Sequence, residues 1–126
     1  MKKLRFILLS IVVLLVSGRA AAYDFESGGL YYNILDADAK TVEVTCENYT
    51  DWNTKANYSG DIVVPATVSN GGIIYSVIKI GQLAFKGSEI TSLTLSEGIE
   101  TIDQDICEGC YSLASLSLPS TLSIDN

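Results

Sequence analysis

The chain contains no histidine. Serine and cysteine nucleophiles therefore lack their usual base, and the cysteines have no histidine to join them in a four-ligand zinc site. Basic side chains are scarce too, 8 against 15 acidic ones, for a net charge of −7. No basic patch interrupts that balance, so nucleic acid and anionic lipid are repelled at long range. Cysteine is limited to Cys46, Cys107 and Cys110. In an exported chain an odd count leaves either one disulfide and a free thiol, or no disulfide. Cys107 and Cys110 form a C-x-x-C, but the strand–helix setting that lowers a thiol pKa in redox motifs is missing. They read as small buried side chains. A pair of acids could serve a glycosidase, yet the 15 acids fall mostly in loops and turns. No convergent catalytic site is expected, and no cofactor or metal is implied.

Lys2, Lys3 and Arg5 precede an apolar run from Phe6 to Val16, and Ala20, Ala21 and Ala22 follow. That is the pattern of a secretory signal peptide, residues 1–22, cut after Ala22. A bilayer span takes roughly 20 apolar residues, and Ser10, Ser17, Gly18 and Arg19 leave this run shorter. No membrane span is expected after cleavage. Removing the segment takes away four basic side chains and no acidic one, leaving a net of −11. The remainder has the length of one domain with a modest core.

Residues 23–60 carry no repeat and read as a β-rich cap. "FESGGLYYNIL" and "TVEVTC" have the tyrosine, valine and isoleucine content of strands, joined by the polar turn "DADAK". Asp36 and Asp38 there lack the Gly and Glu of a calcium loop. "ENYTDWNTKANYSGD" is a polar loop. Trp52, Tyr49 and Tyr58 in it suit either stacking on a sugar ring or covering the end of the fold. Asn48 and Asn57 head glycosylation sequons, which count only in a host that modifies them.

From residue 61 to 126 the chain repeats itself. "ITSLTLSEGIETID" at 90–103 returns as "LASLSLPSTLSIDN" at 113–126. Three passes superpose Ile62, Leu93 and Leu116, then Val64, Leu95 and Leu118, and farther on Ile80 with Ile102 and Phe85 with Cys107. Ile90 matches Leu113 and Ile99 matches Leu122. The first pass holds an insert, "SNGGIIYSVIK", whose Asn70-Gly71 suits a type I′ hairpin turn. A period in the twenties headed by L-x-x-L-x-L marks a leucine-rich repeat solenoid. The repeat core is then Ile62, Val64, Ile80, Phe85, Ile90, Leu93, Leu95, Ile99, Ile102, Leu113, Leu116 and Leu118. The fold expected is mainly β: an N-terminal β-hairpin cap followed by a short solenoid of about two to three units. "LPSTL" at 118–122 resembles a sortase signal, but the repeat already accounts for it.

The run L-x-x-L-x-L-P-x-x-L…I-G-x-x-A-F-x-x-C, spread over "IKIGQLAFKGSEITSLTLSEGIETIDQDICEGCYSLASLSLPSTL", resembles the BspA-like leucine-rich repeat family, also called the Treponema pallidum type. The strand-rich segment before it is similar to the entry that precedes such repeats in bacterial surface proteins. Cys107 stands where Phe is usual, Asp103 where Gly is usual and Ser88 where Cys is usual, and Ile124 falls one place early. The resemblance implies an exported, cell-surface, non-enzymatic module that contacts host or bacterial surface proteins or glycans.

Strand side chains alternate, so Asp61, Val63, Ser92, Thr94, Ser115 and Ser117 should share the concave face. Ser92, Thr94, Ser115 and Ser117 are the candidate ligand-binding residues; equally, Ser and Thr suit any exposed strand face. A contrasting reading is a truncated repeat protein, retaining cap and first repeats without binding activity of its own. The third unit stops at Asn126, and its leucines are expected to drive self-association through residues 113–126 or to leave a frayed rung.

Overall fold

The computed structural model describes residues 23–50, 53 and 55–123. The signal segment, Trp52 and Ile124 lie outside the described residues. All the regular elements described are strands.

The first three build an antiparallel meander: β1 (Phe25–Ser27), β2 (Leu30–Asp36) and β3 (Thr41–Thr45). Gly28 and Gly29 make the first reversal at φ 60° and 87°, a region that costs glycine little because it has no Cβ. At the second, the Asp36 carboxylate accepts the N–H groups of Asp38 and Ala39 at 2.9 and 3.0 Å, an Asx turn. Leu30 and Tyr32 of β2, with Val42 and Val44 of β3, alternate into the core. "FESGGLYYNIL" is thus two strands and not one.

The parallel stack begins with β4 (Ser59–Val64). The insert that follows is the hairpin of β5 (Thr67–Asn70) and β6 (Ile73–Ile80). Asn70 pairs with Ile73, so its two-residue turn is Gly71-Gly72, at φ 61° and 82°, one place beyond the Asn70-Gly71 expected. Both turn positions need positive φ, which glycine takes at lower cost than asparagine. Next come β7 (Glu89–Leu95), β8 (Thr101–Ile102) and β9 (Ser115–Ser117).

Two sheets result. Strands β4, β7 and β9 stack in parallel. The other sheet runs β1-β2-β3-β6-β5, with β8 also paired to β6. Its β3 lies parallel to β6, so the N-terminal meander and the β5–β6 hairpin share one sheet. Between the sheets the units stack through their turns: Phe85 N–H donates to the Ile106 carbonyl at 2.8 Å and Gly87 N–H to that of Glu108 at 2.7 Å. Matched turn positions keep a left-handed backbone in both units, Leu83 and Asp105 at φ 62° and 56°, Gly87 and Gly109 at 67° and 77°. The repeat therefore reproduces conformation where it does not reproduce residue type.

Val64, Ile80, Phe85, Ile90, Leu93, Leu95 and Ile99 are buried, and Ile62 and Leu113 half-buried. Ile102, Leu116 and Leu118, expected in the core, are instead 40%, 51% and 47% exposed. The reason is the one-dimensional character of a solenoid. Each unit's apolar side chains are covered by the next unit, and no described residues stack on these three.

Candidate binding face

The parallel sheet sets its register residue by residue. Asp61 lies beside Ser92 and Ser92 beside Ser115; Val63 lies beside Thr94 and Thr94 beside Ser117. These rows alternate with Ile62, Leu93 and Leu116 on the opposite side of the pleat. The four candidate hydroxyl residues are thus together on one face, Ser115 and Ser117 exposed and Ser92 and Thr94 half-buried. Adjacent strands are about 4.8 Å apart, so each row of three spans roughly twice that distance.

One carboxylate organises an end of this face. The Asp61 carboxylate accepts the hydroxyls of both Ser92 and Thr91 at 2.8 Å. Those two bonds, Ser92 first, hold the Asp61 carboxyl below its usual range, because they favour the charged form. Sequence reading placed Asp61 on the face but did not include Thr91. A register shift between Gly60 and Asp61 is what brings both hydroxyls to one acceptor, and no sequence signal marks it except the glycine, at φ 75°. The outcome is an anionic corner, hydroxyls along two rows, and an apolar spot at Val63, 62% exposed. Such a surface can accept donors from a partner and offer hydroxyl donors in return.

At the far end of the strands the units are fastened by side chains. Ser120 donates both N–H and hydroxyl to Glu97, at 2.9 and 2.7 Å, which holds the Glu97 carboxyl below its usual range. Thr121 Oγ1 accepts from Gly98 N–H at 2.9 Å and donates to the Ile99 carbonyl at 2.8 Å.

The cysteines sit elsewhere, Cys46 buried just after β3 and Cys107 and Cys110 in and beside a turn, and all three are free. Cys110 Sγ donates to the Phe85 carbonyl at 2.9 Å and lies 3.6 Å from Ser88 Oγ, the matched position of the preceding unit. Burial, then the neighbouring Cys110, pushes the Cys107 thiol up to about 12. Burial also raises Cys46. Protonated thiols are poor nucleophiles and poor metal ligands. Tyr58 is buried; its hydroxyl donates to the Thr45 carbonyl at 2.6 Å and accepts Tyr31 N–H at 3.0 Å. Its ring packs 5.0 Å from that of Phe85. That burial leaves its ring little free face for a sugar; the ring packs between those of Tyr31 and Phe85. Tyr49 is half-buried against the same core.

The model of the BspA type leucine rich repeat region matches residues 67–126. No curated protein matches the chain. Solved structures do. A leucine-rich repeat protein from Bacteroides ovatus superposes with a TM-score of 0.64 at 24% identity, over 79% of this chain and 24% of its own. One from Bacteroides capillosus gives 0.63 at 24% identity, over 82% of this chain and 69% of its own. A leucine rich cell surface protein from Faecalibacterium prausnitzii gives 0.57 at 25% identity, over 81% of this chain and 24% of its own. The chain thus spans about a quarter of the length of the first and third of these proteins. Parallel strands stacked rung on rung are what that repeat builds, and residues 67–126 are a BspA-type leucine-rich repeat region.

Proposed function

We propose that the chain is an exported, non-enzymatic module that binds a protein or glycan on a host or bacterial surface through the face of β4, β7 and β9. The observation that carries this reading is the register of that sheet, which gathers Ser92, Thr94, Ser115 and Ser117 beside Asp61 on one side. The repeat region supports a binding role, since repeat solenoids use such sheets as contact surfaces. Export rests on the sequence of residues 1–22, and a surface location draws support from the F. prausnitzii relative, described as a cell surface protein. No helix among the described residues is long and apolar enough to cross a membrane.

The test is steric. Thr94 lies mid-row between Val63 and Ser117, so Thr94→Arg places bulk at the centre of the face without touching the core. Any partner captured from bacterial or host surface extracts by the wild-type chain is expected to bind this variant at least about tenfold more weakly, a loss near 1.4 kcal/mol, with the melting temperature unchanged. A partner that binds Thr94→Arg at wild-type strength would move the site off this face.

A further inference from the structure

We infer that the open edge of β4 is a docking site for an extended peptide strand whose side chains alternate between cationic and apolar. This goes beyond the face reading, because it uses the main chain of β4 and stands or falls without the hydroxyl rows.

Among the described strands, β4 pairs with β7 alone. The Val64 carbonyl accepts Ser96 N–H at 3.2 Å, so the backbone of Val64 is directed toward the β7 side. A strand residue turns its N–H and C=O to the same side, and successive residues alternate. Ile62 therefore faces β7 as well, while Asp61 and Val63 turn their N–H and C=O groups out to the open edge. Edge strands are commonly blocked by lysine, proline or a bulge. The sequence of β4, SGDIVV, has neither residue, and its one irregularity lies between Gly60 and Asp61, before the open stretch.

Space for a guest lies alongside. A groove of about 370 Å³ runs between this edge and the β1–β2 turn, walled by Gly28, Gly29 and Leu30 opposite Asp61, Ile62 and Val63. A Cβ placed on either glycine meets nothing within 4 Å. An added strand would satisfy the free main-chain groups, which is the physics of strand addition. Its side chains would alternate faces. Those beside Asp61 meet a carboxylate in a chain of net charge −7, which selects cations. Those on the other side meet the half-buried Ile62, which selects apolar residues.

The experiment titrates the full chain into a fluorescein-labelled short peptide of alternating lysine and valine, read by anisotropy. Saturable binding of one peptide per chain is expected. The same peptide methylated on alternate backbone nitrogens should bind roughly tenfold more weakly, as expected from losing one or two main-chain hydrogen bonds. Val63→Pro, which deletes only the outward N–H and sits where edge strands tolerate proline, should weaken the unmodified peptide by a similar factor. Equal binding of the methylated peptide, or of a block peptide of the same composition, would reduce the effect to bulk charge attraction and overturn the proposal. So would the absence of saturable binding, or a dimer of the chain that Val63→Pro dissolves, which would make a second copy the occupant. Should Val63→Pro fail to fold, the methylated peptide on the wild-type chain decides alone.

Discussion

Residue by residue, the turns owe their geometry to side chains whose type only partly matters. Ser88 and Cys110 hold the same place in successive units, and the Cys110 thiol caps the Phe85 carbonyl. Cys110→Ser keeps a donor of similar size, so its cost is expected at the low end of the roughly 1–3 kcal/mol for a buried polar group with an imperfect partner. Cys107→Ser, whose side-chain partner is the weakly accepting Cys110 sulfur, belongs at the high end. Urea melts of the two variants would check the order, and a purified chain carrying stoichiometric zinc would overturn the structural reading of both. Alkali gives a second test. Cys107 and Tyr32 hold their protons to about 12 when folded, against 9.0 and 10.0 unperturbed, mainly because burial penalises the anion. Tyr58 is raised as well. A proton bound more tightly in the folded state favours folding fully below the unperturbed value. As pH rises past that value, only the unfolded chain gains by ionising. Stability should therefore fall steadily from about pH 9 to about pH 12, with Tyr32 and Tyr58 becoming tyrosinate at the unfolding transition and not before it. Ionisation of these two buried tyrosines in a still-folded chain would contradict their burial.

Among the elements, the β5–β6 hairpin separates what sequence could tell from what it could not. Its existence was legible, because "SNGG" stands between two runs of strand formers. Its register was not: Asn70-Gly71 and Gly71-Gly72 are both acceptable turn pairs, and the choice is made by which side chains reach the core, Val68 and Tyr75 being buried. Gly72→Ala at φ 82° should cost roughly 1–2 kcal/mol, the penalty of a left-handed backbone for an L-residue. Asn70→Ala, at a paired strand position, should cost little. Equal losses in thermal melts would restore the other register. The repeat strands were legible in the same sense, since Leu93 and Leu95 mark both the strand and its buried side. Less visible was the parallel pairing of β3 with β6, which joins segments separated by a loop and two strands and leaves no local pattern. The hydroxyl rows were readable from alternation alone. Thr91 was missed because a register shift, a backbone event, delivers it to Asp61. Tyr58 could not be assigned from sequence, because tyrosine is equally at home on a surface and in a core when its hydroxyl finds a partner.

For the whole molecule, the governing fact is that burial falls off toward the last described rung, β9. Ile102, Leu116 and Leu118 stay substantially exposed, and β9 pairs only with β7 among the described strands. Covering an apolar side chain is worth roughly 1.5–3 kcal/mol, so we propose that the chain on its own either self-associates through residues 113–126 or frays there. Light scattering over a dilution series, beside amide exchange, separates the two. A monomer at all concentrations with slow exchange at Leu116 would refute both. The stacking has one more consequence, at the level of the gene. Bonds between units join residues 22 and 23 apart, and each unit offers its successor the surface it took from its predecessor. Unequal recombination that adds or removes one whole unit therefore returns every ladder bond to a matching partner. A gain or loss of a few codons inside a strand has no such remedy, because a shift of one residue turns the leucines outward. Length differences among close relatives are expected to come in complete rungs, with odd-sized changes confined to exposed turns such as the one at Tyr111, 97% exposed.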